Sequence, residues 1–335
     1  MTEKRIMFVS FYPDDLLKSL IDKELGHLVN IIYPKELTGD IADKVEIILA
    51  DNGRELEKFA DVLQHVKFIQ TLSAGLEHVP FDIIPNDVMV SSNSGGNALP
   101  AAEHVMALLL AACKRVAFHD RKMRRGIWAR KNLGFVLKGK VLGIIGYGNI
   151  GRRVARFAKC FGMRIFAIDK RKIEDNTLEF FGYPDDLDYV LKVSDIILIS
   201  LPLTKYTYHL IDKSKLRLMK RDAILVNTSR GPIIVEKDLY EHLKQNPNFI
   251  VALDVWWSYP KKKENNYQKY PFHELDNVVM TPHIAGFASD YYEPWYRHAI
   301  ENIKRYINGE QPKNIADREE YIGIRKILSG SPEMP

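Results

Sequence analysis

The stretch Val141-Leu142-Gly143-Ile144-Ile145-Gly146-Tyr147-Gly148-Asn149-Ile150-Gly151 decides how this chain is to be read. Its apolar half has the length and continuity of a buried parallel strand. That strand runs directly into a GxGxxG turn, and Arg152 to Phe161 continue as a helix. In such a turn the first glycine permits the reversal and the second lets a pyrophosphate approach the backbone. The third allows helix and strand to pack closely. The helix N-terminus then offers oriented N–H groups to phosphate. Asp169 ends the next apolar run, 18 residues after Gly151, close to where an acid binds ribose hydroxyls. A dinucleotide site is therefore expected at Gly146, Gly148, Asn149, Ile150, Gly151 and Asp169. An Asp at this strand end repels a 2′-phosphate, so NAD is favoured over NADP even though Lys170, Arg171 and Lys172 follow it.

Outward from this stretch, short apolar runs alternate with helical segments almost throughout. Upstream lie Ile6–Val9, Val29–Ile32, Ile47–Ala50, Phe68–Thr71 and Val88–Val90. From residue 141 onward, Arg164–Ile168, Ile196–Ile199, Ile224–Val226, Val251–Leu253 and Val278–Met280 bring the second series to six strands. The pattern predicts an α/β protein with two doubly wound parallel sheets. Gly95-Gly96-Asn97 interrupts it, and a long helix, apolar on nearly every face in its middle and basic at its end, is expected from about Pro100 to Arg125. An amphipathic helix is expected from about Tyr291 to Ile307. These boundaries suit a Rossmann-type dinucleotide domain, 97–287, inserted into a split domain of 1–96 and 288–335. Two sequential domains with an appended helix also fit.

Composition removes other classes. With 335 residues, 46% hydrophobic and 27% charged, the chain can build two cores and is not disordered. Two cysteines, Cys113 and Cys160, exclude a disulfide scaffold, and no spacing suggests a metal site. Lys and Arg number 48 against 43 Asp and Glu, a net +5 with no basic stripe interleaved with aromatics, so no nucleic-acid partner is expected. The longest wholly apolar run, Val105 to Cys113, has nine residues. A membrane span needs about 20. The N-terminus carries no apolar signal core, and a cytoplasmic location is expected.

Chemistry-bearing residues gather after the strands: Ser200-Leu201-Pro202, Asn227-Thr228-Ser229-Arg230-Gly231, Asp254, and Thr281-Pro282-His283-Ile284-Ala285-Gly286. Carboxyl ends of parallel strands are where open α/β sheets bind ligands. With Ser73-Ala74-Gly75 and Asn97 to His104, these motifs make the sequence resemble the D-isomer-specific 2-hydroxyacid dehydrogenases from about Phe68 to Gly309. The resemblance implies a homodimer in which a Rossmann NAD domain is inserted into a split flavodoxin-like substrate domain. It implies hydride transfer between NAD(H) and a small D-2-hydroxy or 2-oxo acid. It assigns catalysis to Arg230 and His283 and carboxylate binding to Ser73, Ala74, Gly75 and Arg230. Further cofactor contacts are implied at Leu201, Pro202, Thr207, Thr228, Ser229, Asp254 and Gly286.

The residue types suit these roles. The planar Arg230 fork can hold a carboxylate and polarise the neighbouring carbonyl. His283 can exchange a proton with the developing alkoxide. His78, His104 and His209 lack such a context and read as structural. The family's catalytic Glu, five residues after the Asp and before a Pro, is replaced by Tyr259; Glu264 and Glu274 are candidate substitutes. This departure keeps open a nicotinamide-sensing binding protein with weak catalysis, and a formate- or phosphonate-type dehydrogenase.

Overall fold

The computed structural model describes residues 4–260 and 269–329. The chain divides into two compact units: Met1–Asn97 with Thr204–Tyr206 and Ala288–Pro335, and Ala98–Leu203 with Thr207–Phe287.

The first unit holds β1 (Ile6–Val9), β2 (Asn30–Ile32), β3 (Val45–Ala50), β4 (Phe68–Thr71) and β5 (Met89–Ser91). They form a parallel sheet in the order β2-β1-β3-β4-β5, the flavodoxin-like order. One face is covered by the helices Asp15–Leu25 and Tyr292–Ile307. Leu17 and Ile21 from the former meet Tyr296, Ala299, Ile300 and Ile303 from the latter over Met7, Val9 and Leu49. Those spacings put the apolar side chains on one stripe of each helix. Asp14 joins the two helices: one carboxylate oxygen accepts from Leu17 N and caps the first, and the other accepts the Tyr296 hydroxyl at 2.6 Å.

The second unit holds seven parallel strands: β6 (Val141–Ile145), β7 (Arg164–Ile168), β8 (Phe180–Gly182), β9 (Ile196–Ile199), β10 (Ile224–Asn227), β11 (Ile250–Leu253) and β12 (Val278–Met280). Their order is β12-β11-β10-β9-β6-β7-β8. The chain reverses direction of winding between β6 and β9, which opens a crevice at their carboxyl ends. Leu142, Ile144, Ile165, Ile196 and Leu198 pack against the helices Ala98–Cys113 and Asn149–Cys160.

Two expectations are corrected here. The second sheet has seven strands rather than six. β8 is only three residues long and pairs on one side, with β7, so it makes no apolar run in the sequence. The expected single helix from Pro100 to Arg125 is two helices, Ala98–Cys113 and Val116–Arg124. Arg115 between them has φ of +55°. The Cys113 carbonyl accepts Phe135 N instead of continuing the helix, and Gly134 lies so close that a Cβ there would be 2.0 Å from that oxygen.

In the first unit Asn302 is buried off the apolar stripe of its helix. The two hydrogens of its amide nitrogen are shared among Gln70 Oε1 (2.6 Å), Ser91 Oγ (2.8 Å) and the Lys313 carbonyl (3.0 Å), while its oxygen accepts Lys313 N (2.7 Å). Asn302→Leu keeps the volume but strands those buried groups, and should lower stability by about 2–4 kcal/mol. The check is the midpoint of thermal or urea unfolding; an unchanged midpoint would show that this network does not hold the helix to the sheet.

Candidate active site

The glycine turn after β6 has the backbone that the sequence reading required. Gly146 has φ of +95°, and a Cβ there would lie 2.3 Å from the Ser200 carbonyl oxygen. A Cβ on Gly151 would lie 2.6 Å from the Gly146 oxygen. At Gly148 the space is open, with only Arg171 Nη2 at 4.0 Å. The helix Asn149–Cys160, with Asn149 and Ile150 in its first turn, starts on Gly148, and no side-chain oxygen caps it. An open cradle before an uncapped helix N-terminus fits a pyrophosphate.

Tyr147, between the glycines, is buried. Its hydroxyl donates to Asp175 at 3.1 Å, and burial together with that carboxylate raises the phenol above its ordinary value. Its amide donates to Asp169 Oδ2 at 3.0 Å. Arg171 grips the same carboxylate through Nε (2.9 Å), Nη2 (3.1 Å) and its own amide (3.0 Å). Burial alone would push the Asp169 carboxyl up, but these donors outweigh it and hold it below the usual range. The sequence reading treated Arg171 apart from Asp169; the pair lies two residues apart, beyond any periodicity signal.

At the ends of β9 and β10 the turns are fixed by side-chain hydrogen bonds. Leu201 N donates to Ser229 Oγ, which donates to the Ile199 carbonyl (3.2 and 2.9 Å). Asn227 accepts Ser229 N and donates to the Arg230 carbonyl, both at 3.0 Å, enclosing Thr228. Thr207 Oγ1 donates to the Pro202 carbonyl at 2.6 Å. Arg230 is half-buried, with Nη1 on the Ser229 carbonyl at 2.7 Å. Gly231 follows because nothing larger fits: a Cβ would lie 2.4 Å from the Trp256 carbonyl oxygen.

The next two strands, β11 and β12, end in one polar knot. Asp254 has no exposed surface. Its Oδ1 accepts Thr281 Oγ1 (2.6 Å) and Ile284 N (2.9 Å), and its Oδ2 accepts Ala285 N (2.8 Å). These donors bracket His283, which has φ of +59°. Gly286 is the next residue after them. His104 Nε2 lies 3.0 Å from Thr281 Oγ1. The Trp256 indole donates to the Thr281 carbonyl at 3.1 Å. Tyr259, in the register of the missing Glu, sets its ring 5.2 Å from that of His283, tilted by 34°. Glu274 instead lies 4.0 Å from His273 at the surface, and Glu264 falls outside the described residues.

In the first unit, the loop after β4 is tied down around an exposed Ala74. Ser73 Oγ donates to the Gly75 carbonyl (2.7 Å), and the Ser73 carbonyl accepts Thr71 Oγ1 and Asn93 N, each at 2.9 Å. The Trp295 indole holds the Leu72 carbonyl at 3.0 Å. His78 contacts the Arg54 guanidinium. His209 stacks on Tyr208, and burial pushes its imidazole below the ordinary value.

Residues 106–285 match the NAD binding domain of the D-isomer specific 2-hydroxyacid dehydrogenases. The chain belongs to that family. It is 37% identical over 237 residues to a glyoxylate reductase of Korarchaeum cryptofilum, covering 69% of this chain and 70% of that one. The D-lactate dehydrogenase of Aquifex aeolicus, solved with NAD and lactic acid, is 27% identical at a TM-score of 0.70, with 91% of this chain and 96% of that one covered. A Pyrobaculum aerophilum structure provisionally named a formate dehydrogenase is 31% identical at a TM-score of 0.77, covering 94% and 99%. The protein is thus an NAD-dependent oxidoreductase acting on the CH–OH group of 2-hydroxy acids. Among the described residues no cluster suits a metal ion, and no helix is long and apolar enough to cross a membrane.

The Asp169 carboxylate occupies the Arg171 fork, and cofactor choice is expected to turn on that pair. Asp169→Ala should weaken NADH binding and release Arg171 for a 2′-phosphate, raising the NADPH-to-NADH ratio of kcat/KM by about tenfold or more. Steady-state kinetics with both cofactors check this. An unchanged ratio would mean that Arg171 does not reach the cofactor.

Proposed function

We propose that the protein interconverts a small 2-oxo acid of the glyoxylate, hydroxypyruvate or pyruvate class with its D-2-hydroxy acid. The observation that carries this reading is the sharing of one carboxyl edge by the adjacent strands β10, β11 and β12. Arg230, Asp254 and His283 follow those strands, and the Trp256 backbone and indole join the turns. The similarity to a glyoxylate reductase supports a small acid.

In this mechanism Gly146, Gly148, Gly151 and the first helical turn hold the pyrophosphate, and Asp169 takes the ribose. Leu201, Pro202, Thr207, Thr228, Ser229 and Gly286 line the rest of the cofactor path. The bound cofactor contributes hydride transfer to or from C2 of the acid. Arg230 grips the substrate through its planar fork and polarises the C2 carbonyl. His283 gives a proton to the oxygen on C2 during reduction and takes it back during oxidation. Ser73, Ala74 and Gly75 of the first unit bind the carboxylate through backbone N–H groups. The first unit is accordingly the substrate domain.

A formate-type dehydrogenase is the second reading, favoured by Tyr259 in place of Glu and by the Pyrobaculum aerophilum similarity. Reduction of NAD by formate but not by 2-hydroxy acids would select it. We further propose a cytoplasmic homodimer. Its support is the segment 128–136 of the second unit, in which Trp128, Leu133 and Val136 are 76%, 79% and 67% exposed. Cys113 and Cys160 are free thiols, as a reducing compartment would leave them.

Arg230→Lys keeps the charge but loses the fork, and should lower kcat/KM for the 2-oxo acid by about 100-fold while NADH affinity stays unchanged. Retained activity would remove Arg230 from the mechanism and favour a nicotinamide sensor. Tyr259 stands within reach of the His283 ring, so Tyr259→Glu sets a carboxylate beside it. That carboxylate favours the imidazolium, which reduction requires, so the reductive kcat/KM limb should extend to higher pH. A pH profile that does not move would show that the new carboxylate does not couple to His283.

A further inference from the structure

His104 is a polar residue on the otherwise largely apolar helix Ala98–Cys113. Its Nε2 lies 3.0 Å from Thr281 Oγ1 and 3.6 Å from Asp254 Oδ1. We infer that His104 is a positioning residue, acting through Thr281 and Asp254 to hold His283 in its working orientation. The inference rests on the reading of His283 as the proton donor.

The order of donors follows from the inventory of protons. A threonine hydroxyl has one hydrogen. The Asp254 carboxylate oxygen, at 2.6 Å, is closer than the imidazole nitrogen at 3.0 Å and also accepts the Ile284 amide, so it takes that hydrogen. The Thr281 oxygen is left to accept, which assigns the proton of His104 to Nε2. The result is a directed chain from His104 Nε2–H to Thr281 Oγ1–H to Asp254 Oδ1. Asp254 in turn accepts the backbone N–H groups of Ile284 and Ala285, the two residues after His283.

The knot has something to hold. His283 has φ of +59°, where a non-glycine residue is strained and persists only if its surroundings over-determine it. Strands β11 and β12 supply Asp254 and Thr281; His104 comes from a third element, packed on the same sheet. It therefore fixes the loop against a helix rather than against its own strand ends. Losing it frees the Thr281 hydroxyl to turn, loosens its bond to Asp254, and lets the His283 backbone relax. Misplacement of a proton donor by about 1 Å is enough to slow catalysis strongly. Because His104 acts through the loop, the loss should fall on kcat and not on binding.

The test uses the full chain, NADH and whichever of glyoxylate, hydroxypyruvate and pyruvate is reduced best. His104→Leu should lower kcat about tenfold or more, with KM for the acid and NADH affinity by fluorescence kept within about twofold. His104→Gln, which keeps a donor near the Nε2 position, should recover most of the loss. Thr281→Val should lose as much as His104→Leu and Thr281→Ser much less, and the double variant should be no worse than either single one, as expected for one chain. A lowered Tm with unchanged kcat would make His104 a packing residue and overturn the inference, as would a loss carried by KM. His283→Asn separates the two readings. Full activity there sinks the role of His283 and this inference with it. An inactive His283→Asn beside fully active His104→Leu and Thr281→Val overturns the inference alone.

Discussion

A carboxylate with no exposed surface, Asp254, stands at the end of β11. A charge withdrawn from water is tolerable only when hydrogen-bond donors replace the water. Among the described residues its three donors come from five consecutive positions, Thr281 to Ala285. The need to satisfy Asp254 therefore dictates the path of that loop, including the left-handed backbone at His283. The same strand end continues into Trp256, whose indole holds the Thr281 carbonyl and whose backbone leaves room only for a glycine at position 231. Movement of Asp254 would be felt at the His283 loop and, through Trp256, at the turn carrying Arg230.

Asp169 applies the same constraint at the other end of the edge. Its carboxylate is met by Arg171 and by the amide of Tyr147 inside the glycine turn. One aspartate thus shapes the turn after β6, and another shapes the loop after β12. Between them the strand order β7-β6-β9-β10-β11-β12 sets out Asp169, the glycines, the Ser229 turn, Arg230 and His283 in sequence along one edge. Parallel pairing makes this layout possible, because it brings every carboxyl end to the same side.

Much of this was legible before the structure. Strands buried on both faces announce themselves as apolar runs, and the glycine spacing reports a backbone need that no other residue meets. What was not legible depends on distance in sequence or on brevity. β8 is too short and too one-sided to leave a run. The break at Arg115 is imposed by Phe135, twenty residues on, through the Cys113 carbonyl. The knot of His104, Thr281 and Asp254 joins residues far apart in the chain, and no spacing could report it. Its one local trace was an imidazole on an apolar helix, which without partners reads as structural.

The replacement of Glu by Tyr259 gains meaning from this geometry. A carboxylate beside His283 would do two things at once: orient the ring and favour its charged form. In the proposed mechanism the first of those tasks is met without a carboxylate at position 259. Orientation comes from the backbone, through Asp254 and the residues that follow His283, and from the Tyr259 ring packed against the imidazole. Neither contact adds a negative charge next to the ring nitrogens on the scale of a paired carboxylate. These contacts hold the histidine without drawing on either ring nitrogen, so its orientation does not depend on whether the ring carries a proton. That arrangement suits a residue that, in the proposed mechanism, gives a proton in one direction and takes it back in the other.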